Sequence, residues 1–302
     1  MTIAACYLCP EGLVLGADST SSAQISPGPG LTGFHFYNHN QKLFEIGENS
    51  TLGVITWGAG SLGPKSHREI FALVADEIKP KTAVGDVARR LSEMAWPEYQ
   101  SAYGPAIQRC KDLAALGPHD PAIPVAAGTT RRTENEQREF DALTLNLHLG
   151  FCVGGYCLPS RSTTAFEIIF DPHAGAAPAP KQLPPLSYKF WGVPKLVQRL
   201  IFGADEDLKK AILASGKWNG TEPELVSLLE KQRLGHHLLP IRDAVDFVHT
   251  CIYSTIKAMK FSSFFQICGG PIELAVITSD RRFRWVRHKA WDSAIDEGDI
   301  YG

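Results

Sequence analysis

The sequence predicts an α+β protein in which two antiparallel sheets lie face to face and carry helices on their outer sides. The order of the elements supports this class, because blocks of strands are followed by pairs of helices instead of alternating with single helices. The first strands are also continuously apolar, as in sheets that are covered on both faces. With 302 residues, the chain is long enough to bury a sizeable core.

The first third of the chain is predicted to form strands and then two helices. Apolar, β-favouring runs predict strands over 2–8, 13–17, 42–46 and 52–57. A Gly-, Pro- and Ser-rich segment over 19–33 predicts a loop. The apolar spacing predicts a helix over 65–79 and a second helix that is capped by Thr82 and ended by Pro97.

The remaining two thirds contain two polar insertions among further strands and helices. Residues 101–140 lose all periodicity and predict a surface excursion, and residues 204–240 predict a partly helical insertion. Strands are predicted over 144–153, 165–170, 187–191, 271–278 and 282–286, and helices over 195–202 and 241–259. Residues 287–302 are a polar tail. We therefore predict a single domain over residues 1–302.

Composition excludes several classes of protein. The chain has 30 basic and 32 acidic side chains, a balance that argues against a generally basic nucleic-acid binder. The longest charge-free apolar stretch, 142–160, contains a Gly-Gly pair and Pro159, so it predicts two strands around a turn and not a membrane span. We expect neither nucleic acid nor membrane as a partner.

The cysteines and the first basic residue indicate a cytoplasmic protein. Seven scattered cysteines are an odd number and do not resemble a secreted disulfide scaffold. The first basic residue is Lys42, so a positively charged signal region is missing. Cys6 and Cys9 lie three apart on a strand and would point to opposite faces. No metal site and no cofactor is predicted.

The first hairpin brings chemically useful groups together. If its turn centres on Pro10-Glu11, paired residues have numbers that sum to about 21. Thr2 then lies opposite Ser19, and Asp18 is its diagonal neighbour. The hairpin alone therefore places a carboxylate beside the second residue of the chain.

Removal of Met1, which the small side chain of Thr2 favours, would give one residue both a nucleophile and a base. The α-amine has an ordinary pKa near 8 and can take the proton of the threonine hydroxyl. A lysine ammonium would stabilise the developing alkoxide, and Lys42 is the candidate. Asp18 would hold that lysine in place. Each of these residues is ordinary by itself, and only their combination indicates catalysis.

Seven short segments resemble the β-type subunits of proteasomes, a family of N-terminal-nucleophile hydrolases. They include the threonine start, an "A-D-S" strand end at Asp18, a lysine-bearing strand at Lys42 and an "A-G" turn after Trp57. The segments, in chain order, are 2–5, 12–19, 41–46, 57–60, 149–151, 166–172 and 268–270. Any one segment is weakly specific, but their shared order covers roughly 280 residues.

The resemblance implies a four-layer αββα sandwich and threonine-dependent hydrolysis of peptide bonds. It assigns Thr2 as nucleophile, Lys42 and Asp18 as its support, and the Gly58 amide as oxyanion donor. It also implies self-association into rings, a peptide or unfolded-protein substrate, and an ATP-dependent unfoldase as a candidate partner. The family requires no metal or organic cofactor.

Three positions depart from the family pattern. Val193 stands where the family has a serine between two glycines, Phe265 where it has an aspartate, and Cys268 where it has a second serine. These groups orient the terminal amine, so their loss predicts an impaired or differently specialised enzyme. Two alternatives therefore stay open: a catalytically weak or silent ring subunit, and a small-molecule amidase on the same fold.

Overall fold

The computed structural model describes residues 2–28, 31–79, 81–234, 238–262 and 267–289. Within these residues the strands are β1 (Ile3–Cys9), β2 (Gly12–Ala17), β3 (Ser21–Gly28), β4 (Leu31–Tyr37), β5 (Leu43–Glu45), β6 (Leu52–Gly58), β7 (Leu149–Gly155), β8 (Thr164–Phe170), β9 (Lys181–Gln182), β10 (Tyr188–Gly192), β11 (Glu273–Thr278) and β12 (Arg281–Arg287). The helices are α1 (His67–Glu77), α2 (Val84–Ala114), α3 (Glu134–Leu147), α4 (Lys195–Phe202), α5 (Glu206–Ala214), α6 (Glu222–Lys231) and α7 (Ile241–Phe261).

The chain divides into two compact units that interleave in sequence. The first unit comprises residues 1–43, 188–276 and 284–302, and the second comprises 44–187 and 277–283. Each contains one five-stranded sheet and its own helices. The predicted α+β class with two antiparallel sheets flanked by helices is thereby confirmed. The assignment of the whole chain to one domain stays a prediction.

The sheet of the first unit has the strand order β10-β1-β2-β11-β12. Helix α7 packs on β1 and β2, and α4 packs against α7. The apolar stripe of α7 includes Val248 and Ile252, both fully buried. A Cβ atom at Gly16 of β2 would lie 2.7 Å from Val248 Cγ1, so the absence of a side chain at Gly16 lets α7 approach the sheet closely.

The sheet of the second unit has the order β5-β6-β7-β8-β9. Helix α2 packs against β7 and β8, with α1 and α3 beside it. Buried residues of α2 recur at helical spacing at Val84, Val87, Ala88, Leu91 and Ala95. This stripe joins aromatic side chains of the sheet to form the larger apolar cluster of the second unit.

The prediction that Pro97 ends the second helix was wrong. Helix α2 continues through Pro97 and Pro105 to Ala114, and its N-cap is Ala83 instead of Thr82. A proline inside a helix costs about 3 kcal/mol, because it removes one hydrogen bond and crowds the preceding turn. Beyond Pro97 the helix buries further side chains, which offset that cost: Tyr99, Ile107, Cys110 and Leu113.

Two segments predicted as irregular are regular. Most of 101–140 is not an excursion, since 101–114 belong to α2 and α3 begins at Glu134 behind a capping box made by Thr133 and Glu136. Residues 144–147 are likewise helical, and β7 starts at Leu149. The predicted loop over 19–33 contains strand β3 and the start of β4, which pair as a separate hairpin. The tail over 290–302 lies outside the described residues.

His67 predicts a pH-dependent stability of the second unit. Its side chain is buried against Phe71 and Phe151, and burial lowers its pKa to about 4 from the usual 6.5. The unfolded chain therefore binds more protons between these two values, so stability falls as the pH falls through them. We expect a loss of about 2 kcal/mol in unfolding free energy between pH 7 and pH 5.

Urea denaturation at both pH values measures this loss, and His67→Phe is the matched variant. The phenyl ring keeps the aromatic contacts but cannot be protonated. The variant should lose about 2 kcal/mol less than the native chain over the same pH range. Burial also lowers the pKa of His148, which both proteins share, so the difference between them isolates His67. Equal pH slopes would contradict the assignment.

Candidate functional site

Asp18, directly after β2, has a carboxylate that accepts four hydrogen bonds. Its side chain is fully buried. Oδ1 accepts hydrogen bonds from Ile3 N at 3.0 Å and Lys42 Nζ at 2.7 Å. Oδ2 accepts them from Thr20 N at 3.2 Å and Gly269 N at 2.8 Å. The carboxylate therefore joins the start of β1, the start of β5 and the loop before β11.

Lys42 forms a buried ion pair with Asp18, which we call the Asp18–Lys42 pair. The lysine is 4% exposed, and its Nζ also donates to Thr20 O at 2.5 Å. Two of its three N–H groups are thus used. No third acceptor for the ammonium occurs in the part of the chain that the structure describes, so one donor is left for an additional oxygen.

The hairpin register explains why Asp18 reaches the amino terminus. Ala4 pairs with Ala17, so the predicted sum of 21 is confirmed. One step further, Asp18 N donates to Ile3 O at 3.1 Å. Asp18 Oδ1 receives the Ile3 N–H in return. The carboxylate thereby contacts the peptide group that links Thr2 to Ile3.

Thr2 is held on its other side by β10. Its carbonyl accepts a hydrogen bond from Val193 N at 2.9 Å, and Ile3 pairs with Gly192. Thr2 is only 3% exposed. The structure thus brings Thr2, Asp18 and Lys42 to one end of the same sheet. Val193, which stands at the position of the family's serine, contacts Thr2 through its backbone N–H.

Gly192 positions Thr2, a role that the sequence did not indicate. Its φ is +85°, and a Cβ atom there would lie 1.7 Å from Thr2 O. Glycine is therefore required both by the backbone conformation and by the close approach of Thr2. A glycine at the end of a strand was the available signal, but the sequence does not show which chain segment approaches it.

Gly192→Ala should displace Thr2 and destabilise the chain by roughly 3 to 5 kcal/mol, since strain at positive φ and a backbone clash add together. Gly203→Ala is the control, because Gly203 has a similar φ of +73° but no atom within 4 Å of a Cβ. The control should cost only about 1 to 2 kcal/mol. Chemical denaturation measures both values, and equal losses would show that the contact with Thr2 is unimportant.

Cys268 lies near the Asp18–Lys42 pair, and its thiol is a weaker hydrogen-bond donor and acceptor than the serine hydroxyl that the resemblance implies. Its side chain is buried, and burial together with the nearby Asp18 charge raises the pKa of the thiol to about 12. The thiol therefore stays protonated at neutral pH. Phe265, the other predicted departure, lies outside the described residues.

Gly58 belongs to the second unit, at the end of β6. Its φ is +89°, and a Cβ atom would lie 2.0 Å from His148 O. This close approach, next to the hydrogen bond from Ala59 N to His148 O, accounts for the glycine within its own unit. Its assignment as an oxyanion donor stays a prediction.

Other kinds of site find no support in the described residues. No group of three or more His, Cys, Asp or Glu side chains there is arranged to hold a metal ion. Cys6 and Cys9 are both buried in β1 as free thiols. No helix of the described chain has the length and apolarity needed to cross a membrane.

Comparison with solved structures gives neighbours that include two Anbu proteins of low sequence identity. No protein-family model matches the chain, and no curated protein does. The Anbu Gly-1 mutant from Hyphomicrobium sp. strain MC1 is 12% identical with a TM-score of 0.45, over 96% of this chain and 86% of that chain. Anbu, an ancestral beta-subunit, from Yersinia bercovieri is 12% identical with a TM-score of 0.40, over 95% and 88%. Both TM-scores are below 0.5, so this similarity carries no argument about the site or its chemistry.

Proposed function

We propose that the chain is an N-terminal threonine hydrolase that cleaves peptide bonds with Thr2 after removal of Met1. The observation that carries the proposal is the buried Asp18–Lys42 pair at the amino-terminal end of β1. One carboxylate oxygen of Asp18 contacts both the Lys42 ammonium and the N–H of Ile3. The cation and the first N–H of β1 thus share one carboxylate oxygen, which supports a role for the pair at Thr2.

A buried ion pair of this kind is poorly explained by stability alone. Removing both charges from water costs several kcal/mol, and apolar residues of similar volume are often as stabilising or more so. Asp18 is fully buried and Lys42 nearly so. The unused N–H group of Lys42 gives the pair a chemical role, because it can bind an oxygen that acquires negative charge.

The proposed reaction forms and then hydrolyses an ester on Thr2. The Thr2 hydroxyl gives its proton to the α-amine of the same residue, directly or through water, while Oγ bonds to the substrate carbonyl carbon. The C–N bond then breaks, and the leaving amine takes that proton. Water hydrolyses the ester in the second half. Lys42 stabilises the developing alkoxide, Asp18 holds Lys42, and the Gly58 amide is the proposed oxyanion donor.

The assembly and the partners are proposed from the sequence resemblance alone. We propose self-association into rings, a peptide or unfolded-protein substrate, an ATP-dependent unfoldase as a candidate partner, and a cytoplasmic location. A small-molecule amide is the alternative substrate, since neither Asp18 nor Lys42 distinguishes it from a peptide.

A catalytically silent ring subunit is the second candidate function, and two observations favour it. Val193, whose N–H donates to the Thr2 carbonyl, has an apolar side chain where the resemblance implies a hydroxyl. The Cys268 thiol is a weaker hydrogen-bond donor and acceptor than the second serine that the resemblance implies. Under this candidate the Asp18–Lys42 pair stabilises the fold and performs no chemistry.

The test compares two full-length chains that differ only before Thr2. The native chain is assayed for hydrolysis of fluorogenic peptide amides. The control carries one lysine inserted between Met1 and Thr2, which prevents removal of Met1 because the second residue is no longer small. We expect hydrolysis by the native chain only. Equal hydrolysis by both chains would exclude the terminal amine, and none by a correctly processed native chain would favour the silent subunit.

A further inference from the structure

Ser19 is a buried hydroxyl group that the mechanism above leaves unused. The residue is fully buried, and its Oγ has no hydrogen-bond partner among the residues that the structure describes. The neighbouring Thr20 hydroxyl, in contrast, donates to Asn38 Oδ1 at 3.0 Å. Buried hydroxyl groups are nearly always partnered, so an alanine would suit the packing at Ser19 better.

The backbone of Ser19 is fixed on the side facing away from β1. Its N–H donates to Gly269 O at 3.0 Å, and its carbonyl accepts from Asn40 N at 3.0 Å. The Thr2 carbonyl likewise turns away from β2 to accept from Val193 N. In an antiparallel ladder, two opposed residues that do not hydrogen-bond to each other turn their backbone N–H and C=O groups away from the partner strand. Ser19 and Thr2 both show this orientation.

The register identifies Ser19 and Thr2 as that pair. Ala4 pairs with Ala17, and the next step is closed by Asp18 N and Ile3 O. One step further opposes Thr2 to Ser19. At such positions the Cα atoms are about 4.5 Å apart and the two side chains lie on the same face. The register therefore places the side chain of Ser19 opposite that of the proposed nucleophile, on the same face of the hairpin.

We propose that the Ser19 hydroxyl, which has no partner in the resting chain, turns to donate its hydrogen to Thr2 Oγ when that oxygen acquires negative charge; this inference rests on the proposed function. A hydroxyl oxygen accepts two hydrogen bonds and donates one. With Ser19 and the unused N–H of Lys42 as donors, the single O–H of Thr2 is left for its own α-amine. Ser19 thus stabilises the charge that develops on the Thr2 oxygen during attack.

This role gives opposite effects on activity and on stability. Ser19→Ala removes a donor to an oxygen that becomes charged, so kcat for peptide-amide hydrolysis should fall roughly 10- to 100-fold with KM unchanged. The rate of labelling of Thr2 by a peptide epoxyketone should fall by a similar factor. The thermal unfolding midpoint should be unchanged or higher, because an unpartnered hydroxyl is removed.

Ser92→Ala is the matched control. Ser92 is also buried, but its hydroxyl is partnered and donates to Pro178 O at 2.6 Å, in the second unit. We expect this variant to lower the unfolding midpoint and to leave kcat and the labelling rate unchanged. Ser19→Thr, which keeps a hydroxyl, should retain most of the labelling rate and therefore separates loss of the donor from a change in packing.

The outcomes distinguish the two proposals. A native chain that hydrolyses and is labelled, together with a Ser19→Ala variant of equal rates, would overturn the role of Ser19 alone. A Ser19→Ala loss that Ser19→Thr shares in full would also overturn it, since the hydroxyl would then not matter. A native chain that neither hydrolyses nor is labelled would overturn the proposed function and this inference with it.

Discussion

Thr2→Ala should reduce peptide-amide hydrolysis at least about a thousandfold while leaving the fold intact. Alanine, like threonine, has a side chain small enough for Met1 to be removed, so the variant keeps the same free α-amine. It lacks the hydroxyl that would attack the substrate, together with the γ-methyl group. Because the backbone contacts of Thr2 with Val193 do not involve the side chain, the thermal unfolding midpoint should stay close to that of the native chain.

Thr2→Ser is the companion variant, since it keeps both the hydroxyl and the removal of Met1. It should retain measurable hydrolysis, which shows that the loss in Thr2→Ala comes from the oxygen and not from the change of residue. Steady-state kinetics with one fluorogenic peptide amide compares the three proteins. Full activity in Thr2→Ala would rule out Thr2 as the nucleophile.

Lys42→Met is expected to affect both stability and activity. Removing one partner of a buried ion pair leaves the fully buried Asp18 carboxylate without its cation, at a cost of about 3 to 5 kcal/mol. Hydrolysis should fall roughly a hundredfold or more, because the proposed donor to the Thr2 oxygen is gone. Urea denaturation and steady-state kinetics measure the two effects.

The double variant Asp18→Asn with Lys42→Met separates these effects. Without either charge, part of the lost stability should return, because no uncompensated ion stays buried. Hydrolysis should not return. Lys195→Met is the surface control, since Lys195 pairs with Asp207 where both side chains are more than half exposed. A double variant that recovers activity with stability would reduce the Asp18–Lys42 pair to a structural role.

The first hairpin could be predicted to the residue because its determinants are local. Pro10-Glu11 fixes the turn, the side chains alternate with a period of two, and the pairing of Ala4 with Ala17 follows. Asp18 and Lys42 were likewise predicted as partners, and the structure shows a 2.7 Å contact between them. In both cases, short sequence separation or charge complementarity specifies the contact.

The failures have different causes. Helix α2 passes through Pro97 because packing of its later turns on the sheet offsets a local penalty, and that packing is invisible to periodicity within one segment. The start of α3 carried a readable signal, the capping box of Thr133 and Glu136. The β3–β4 hairpin was not predicted, because its Gly-, Pro- and Ser-rich composition is more typical of loops.

The candidate site could be predicted only in part, because some of its features depend on contacts between distant segments of the chain. Gly192 is required because the Thr2 carbonyl approaches it, a contact between residues 190 positions apart in sequence. The unpartnered state of the Ser19 hydroxyl depends on every neighbour of a buried atom. Sequence patterns name residue types at expected spacings, whereas close approach and unsatisfied groups emerge only from the packed structure.

The most direct test of the central claim is mass spectrometry of the chain before and after reaction with a peptide epoxyketone, a reagent that bonds to both the hydroxyl and the amine of an amino-terminal threonine. We expect a native mass that lacks Met1, a single adduct that peptide mapping assigns to Thr2, and no adduct on Thr2→Ala. Retained Met1, or a processed chain that forms no adduct at Thr2, would contradict it.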